Sequence, residues 1–198
     1  MEDIKKTFIF LGDDDTPQNR PFPTDLKVKL SKRLQMDDLY EITYWTQNNE
    51  QGTEELYQLL FEEDQKIANN ALWAMTYFSW NEQQWLCQKQ DELIDEVLIS
   101  KNATRSRLLL TLLHQQPLAN PPRIDFLNFC LDRCISLNEP PAITVLCIKL
   151  AYEMCRTHPE LLQELQTLLD IMEESNLPPS IQVARKNTLK AIQKESRS

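Results

Sequence analysis

Glycine occurs only twice in 198 residues, as Gly12 and Gly52. At the usual frequency of about 7%, roughly fourteen would be expected. Tight β-hairpin turns and phosphate-cradling loops draw on glycine, because it enters left-handed backbone conformations without a Cβ clash. A chain this poor in glycine has almost no means of building hairpins or a nucleotide-binding loop. Leu, Glu, Gln, Asp and Lys dominate instead, and most of these favour helix. The expected fold class is all-α.

The punctuation along the chain divides that helix into short pieces. Helices are expected over about 24–35, 37–48, 54–62, 64–79, 81–100, 103–116, 123–137, 141–157, 160–175 and 179–195. Pro121-Pro122, Pro140-Pro141, Pro159 and Pro178-Pro179 fall where helices should begin, and the first helical turn tolerates proline well. Gly52-Thr53 reads as the opening of one helix, with Thr53 as its cap and Glu54-Glu55 suiting the N-terminal dipole. Residues 1–23 stand apart. The apolar stretch Thr7 to Leu11 runs into Asp13-Asp14-Asp15 and then Pro17, Pro21 and Pro23, and reads as an irregular arm before one helical domain over 24–198.

Apolar spacing fits helices with one buried stripe. Leu161, Leu162, Leu165, Leu168, Leu169 and Met172 recur at i, i+3/i+4, i+7, as do Phe126, Leu127, Cys130, Leu131, Cys134 and Ile135. The segment from Ile143 to Met154 is apolar around much of its circumference and is expected at the centre. Alignment of the second helix of each successive pair then reveals a column. Ile67, Thr104, Ile143 and Ile181 lie 37, 39 and 38 residues apart. Ala71, Leu108, Cys147 and Arg185 follow four positions later, and Met75, Leu112, Ala151 and Leu189 eight later. A period near 38 suits a two-helix unit with its turns.

The run Ile67-Ala-Asn-Asn-Ala-Leu-Trp-Ala-Met75 resembles the second helix of HEAT or armadillo repeats. Pro141 to Ala151, followed by His158-Pro-Glu-Leu-Leu-Gln-Glu-Leu165, is similar to a group of short bacterial helical-repeat proteins. The likeness covers roughly 53–195. The Asp-to-Val-Arg start of a HEAT second helix is only partly present, since Asp64 stands there but no Arg follows Ile67. The resemblance implies a right-handed α–α superhelix of about four to five helix pairs, working by presenting a face to another macromolecule.

Charge narrows the choice of partner. The net charge is −9 and the pI near 4.8. Residues 1–100 hold 9 basic against 20 acidic side chains, while residues 101–198 hold 12 against 10. Between Arg33 and Lys66 there is no basic residue and nine acidic ones. Phosphate backbones are bound chiefly by Lys and Arg, so nucleic acid is the less favoured partner, and anionic membrane surfaces are disfavoured too. A basic protein suits the charge better. Five cysteines set in apolar helical stretches, with no secretory signal and no membrane-length apolar run, point to a reducing, cytoplasmic setting.

No group carries a recognisable catalytic or cofactor motif, and none is expected to bind a metal. Cys130 and Cys134 share a helix face but also fit its buried stripe, and only His114 and His158 could supply imidazole ligands. His114, near a helix end, suits the dipole as a cation, and His158 suits a cap or a backbone carbonyl. Asp13-Asp14-Asp15 lacks the spacing of a calcium loop.

The suggestive feature is a run of ten aromatics from Tyr40 to Trp85 that overlaps the basic-free stretch. Tyr40, Tyr44, Trp45, Trp73 and Trp80 are the candidate anchors of a binding surface. The competing expectation is that Tyr44, Phe61, Trp73, Phe78 and Trp85 fill the core. In the second half Arg105, Arg107, Lys149, Arg185 and Lys186 form a second candidate set, which would line one face of the stack and meet an acidic partner or a phosphate backbone. DNA glycosylases of HEAT-like form use such a surface. They look far more basic, and no carboxylate set in an aromatic pocket is evident here. The expected function is therefore a non-catalytic protein-interaction module, with a nucleic-acid-binding or DNA-processing protein as the alternative. A small-ligand binder with an apolar pocket between helices is a third reading.

Overall fold

A computed structural model describes residues 22, 24–136, 138–172 and 177–195. Among the described residues all regular structure is helical. Eleven α-helices run in order: α1 (Leu26–Leu30), α2 (Met36–Thr46), α3 (Glu50–Gln58), α4 (Gln65–Met75), α5 (Trp80–Cys87), α6 (Gln90–Ile99), α7 (Ala103–His114), α8 (Ile124–Ile135), α9 (Pro141–Cys155), α10 (Pro159–Asp170) and α11 (Pro179–Glu195). A 3₁₀ turn, Leu59–Phe61, joins α3 to α4.

The helices stack in two rows. The column found in sequence lies along α4, α7, α9 and α11, and each of these packs on the next. The outer row supplies a mate to each: α6 packs on α7, α8 on α9 and α10 on α11. Within that outer row α8 touches both α6 and α10. This is a superhelical α–α repeat, in which each unit leaves an apolar face that only its neighbours can cover. The first unit is the least regular, since α1, α2, α3 and the 3₁₀ turn all pack on α4.

Helix α9 is central, as its all-round apolarity implies. It touches α7, α8, α10 and α11, and buries Ile143, Cys147, Ile148, Leu150, Ala151, Met154 and Cys155. Cys130 of α8 lies near Cys147 across the pair, and Cys130, Cys134, Cys147 and Cys155 are all buried. Burying a Leu- or Ile-sized side chain contributes about 1.5–3 kcal/mol, so the aliphatic seam along α7 and α9 is the main source of cohesion.

Several boundaries differ from expectation for identifiable reasons. The first helix is only Leu26–Leu30, capped by Asp25, whose carboxylate accepts from the Val28 N–H at 3.2 Å. The third helix starts at Glu50, not after Thr53, because Asn49 caps it by accepting from the Gly52 N–H at 3.0 Å. Gly52 is thus inside a helix. A Cβ there would stand 2.6 Å from Asn49 Nδ2 and 3.0 Å from the Trp45 ring, so close packing rather than backbone freedom requires it. The single helix expected over 81–100 is two, α5 and α6. At the break, Lys89 folds back over the rings of Tyr57 and Trp85. The buried Gln90 then reaches the loop after α7, donating to Pro117 O and accepting from the Ala119 N–H, each at 3.0 Å.

The column also slips at α7. Leu108 and Leu112 are buried as expected, but Thr104 is exposed and Arg105 is turned inward in its place. The arm expected over 1–23, with Asp13-Asp14-Asp15, lies outside the described residues except for Phe22. That ring is buried and meets Trp45 edge-on at 5.1 Å.

Candidate binding surface

Helix α2 is amphipathic in an unusual sense. Its inner side buries Leu39, Ile42, Thr43 and Thr46, while Met36, Tyr40 and Tyr44, spaced four apart, line its outer side. Residues at i and i+4 sit one above another on a helix, so these three form a strip. Tyr40 meets Tyr77, just beyond α4, edge-on at 6.4 Å, and the Tyr77 hydroxyl donates to Met36 Sδ at 3.8 Å. Trp80 opens α5 and is 74% exposed, against 61% for Tyr44 and 58% for Tyr40. Large aromatics left this open in a folded domain are characteristic of contact surfaces.

The sequence-derived anchor set therefore divides. Tyr40, Tyr44 and Trp80 are exposed, whereas Trp45 and Trp73 are half-buried against the core. The core-filling expectation divides as well. Phe78 is buried and Trp73 and Trp85 pack against the core, but Tyr44 and Phe61 are exposed. Tyr57 does the filling, fully buried with its hydroxyl donating to Glu92 at 3.0 Å. Met36 and Tyr77 extend the exposed face; the i, i+4, i+8 spacing of Met36, Tyr40 and Tyr44 was the available signal. Acidic Asp37 and Glu41 are exposed on the same helix. The nearby Lys29 is taken up by Asp38 at 3.0 Å and by Glu41.

The five basic candidates do not form one stripe. Arg105 is 8% exposed, ion-paired with Glu96 on α6, and donates to Leu60 O at 3.1 Å. It ties the 3₁₀ turn, α6 and α7 together as a largely buried structural arginine. Its place one residue after Thr104, on the side facing α6, sets that role. Arg185 is half-buried, with Nε donating to Leu169 O at 2.6 Å, so it fastens α11 to α10. Arg107, Lys149 and Lys186 are exposed on three successive inner helices. His114 differs from expectation too. Burial, aided by the Lys149 charge, pushes its imidazole below the ordinary value, which favours the neutral ring over a dipole-facing cation. His158 contacts the Asn120 side chain, ring Nε2 to Oδ1 at 3.0 Å, in place of a backbone carbonyl.

Two recesses are relevant to binding. One of about 520 Å³ is lined mainly by apolar groups, including Cys134, Ile135, Met172, Leu177 and Ile181. The buried Thr144 hydroxyl in its wall has no hydrogen-bond partner among the described residues. The second, of about 410 Å³, lies where α2 ends and α3 and α5 begin, lined by Thr46, Asn48, Asn49, Glu50, Thr53, Asn81, Glu82 and Trp85. Glu82 and Trp85 are three apart on α5 and so face the same way. Its lining holds two carboxylates and a single aromatic ring. Among the described residues no basic side chain lines this recess.

Among the described residues no group of His, Cys, Asp and Glu is arranged to hold a metal ion, and no helix is long and apolar enough to cross a membrane. Residues 26–192 match the family model of a HEAT repeat domain. No curated protein and no solved structure matches the chain.

Proposed function

The chain belongs to the HEAT repeat domain family, and on that premise we propose that it is a non-catalytic module that holds a basic protein partner. The observation carrying this reading is the exposed strip of Met36, Tyr40, Tyr44 and Tyr77, with Trp80 exposed as well at the start of α5. Its α2 members, Met36, Tyr40 and Tyr44, lie within the stretch between Arg33 and Lys66 that has no basic residue. Tyr and Trp give large contact area for little lost side-chain entropy, and such anchors dominate interface energetics. Carboxylates around them select a partner of opposite charge and speed its approach. The repeat body, taken as one domain from residue 24 onward, acts as the rigid support. Arg107, Lys149 and Lys186 remain as a separate, sparser set for an acidic contact, and the removal of Arg105 and Arg185 from it weakens the nucleic-acid alternative.

The test is affinity capture from the native source with the wild-type chain beside a Tyr40→Ala/Tyr44→Ala/Trp80→Ala variant. The expected result is a basic protein held by the wild type and lost by a variant whose unfolding midpoint is unchanged. Direct binding of that protein, once purified, should weaken by about 2 kcal/mol or more. Capture of nucleic acid without protein, or equal capture by both chains, would overturn the reading.

A further inference from the structure

Two buried polar atoms without a partner belong to residues that line one recess. This recess, of about 280 Å³, lies where α7 and α9 end, between His114, the loop 116–120, and Glu153, Met154, Arg156 and Thr157. Gln116 in that loop is 7% exposed. Its Nε2 and the Nδ1 of His114 are buried and have no hydrogen-bond partner among the described residues. Buried polar atoms are ordinarily met.

The Gln116 amide is oriented from behind. Gln90 Oε1 accepts from the Ala119 N–H at 3.0 Å, so Gln90 Nε2 is the end that donates to Pro117 O at 3.0 Å. The same Nε2 donates to Gln116 Oε1 at 3.4 Å. A reversed amide at Gln116 would set two donors face to face. Gln116 therefore keeps its carbonyl on Gln90 and is left with an NH2 group that can only donate.

The recess is close to neutral. Glu153 and Arg156 are exposed and paired with each other at 3.3 Å. Burial, with the Lys149 charge, pushes the His114 imidazole below its ordinary value against the pull of Glu153, so the ring is neutral and Nδ1 is able to accept. An anion would meet the negative ends of α7 and α9. A cation would meet the Gln116 NH2 and the field of Lys149. A neutral group offering an oxygen to Gln116 and an N–H to His114 is a carboxamide, and Pro117, Leu118 and Met154 supply apolar wall for the body that carries it. The volume sits at the small end of ligand sites, which run from roughly 300 Å³ upward.

We propose that this recess binds a small neutral carboxamide, with the Gln116 NH2 donating to its oxygen and His114 Nδ1 accepting from its N–H. The site shares no residue with the aromatic face and does not depend on the protein-binding reading. The probes are benzamide, benzoate and benzylammonium, titrated into the full chain while the His114 ring nitrogens and the Met154 methyl are followed by NMR. Benzamide is expected to shift both, and the two ions to leave both in place. Gln116→Glu keeps the acceptor toward Gln90 and removes the donor, while His114→Leu removes the imidazole. Each should weaken benzamide by about tenfold, the loss of one hydrogen bond.

Both variants are read beside thermal unfolding. If either is destabilised, nuclear Overhauser contacts between benzamide and the His114 ring of the wild type carry the test, and their absence at saturation overturns the proposal. Resonances unmoved by benzamide would mean that solvent alone meets the two atoms, and overturn it too. So does an equal response to either ion, or benzamide binding at full strength in both variants.

Discussion

Replacing Arg105 by methionine separates a structural arginine from a binding one. The guanidinium joins Glu96 and the Leu60 carbonyl in a region where both side chains are largely buried. Breaking a buried ion pair from one side costs about 3–5 kcal/mol, because the remaining charge stays desolvated. An orphaned carbonyl adds about 1–3 kcal/mol where water cannot reach it. Glu96 retains some solvent contact and methionine keeps the packing of the arginine stem, so the lower part of that range applies, about 3 kcal/mol. For a domain of this size the midpoint should fall by roughly 6–12 °C. The assay is urea and thermal unfolding followed by far-UV circular dichroism, run as a cycle with Glu96→Gln. The double variant should recover stability relative to Arg105→Met alone, with a coupling of about 1–3 kcal/mol, and partner capture should be unchanged throughout. An Arg105→Met protein within about 0.5 kcal/mol of wild type, or one that loses its partner at full stability, would show that Arg105 is not the staple described.

Three further outcomes follow from burial. Cys87 should be the first cysteine labelled by a disulfide reagent in the native protein, since Cys130, Cys134, Cys147 and Cys155 are buried and burial pushes the Cys130, Cys134 and Cys155 thiols up; mass spectrometry finding all five modified at one rate would contradict the packing. His114 is held below the ordinary imidazole value by burial and Lys149, so the unfolded chain takes up the proton first. The stability it contributes is therefore complete above about pH 6.5 and is lost as pH falls from there through the folded value. His114→Gln should flatten the stability–pH slope in that window, and an unaltered slope in urea titrations would count against the assignment. Thr144→Val removes a buried hydroxyl that has no partner among the described residues and should stabilise the fold by about 1 kcal/mol; a loss of stability would mean that the hydroxyl is satisfied in the adjoining recess.

The parts of this fold that were legible in sequence are those set by one element at a time. Scarce glycine excludes hairpins, proline marks the starts of α9, α10 and α11, and the spacing of Ile67, Ile143 and Ile181 identifies helices of one row, in which α4 packs on α7, α7 on α9 and α9 on α11. What escaped depends on side chains meeting across elements. Nothing local distinguishes Arg105 from Arg107, two positions apart on α7, yet Glu96 and the Leu60 carbonyl claim the first and leave the second in solvent. The break between α5 and α6 contains neither glycine nor proline, and is made by Lys89 folding onto two rings while Gln90 holds a loop that comes 27 residues later. The same limit hid the α3–α5 cavity. In sequence Glu50, Glu82 and Trp85 are two acids on helix starts and one aromatic among ten. Only the fold brings them to one recess, where α2 ends and α3 and α5 begin.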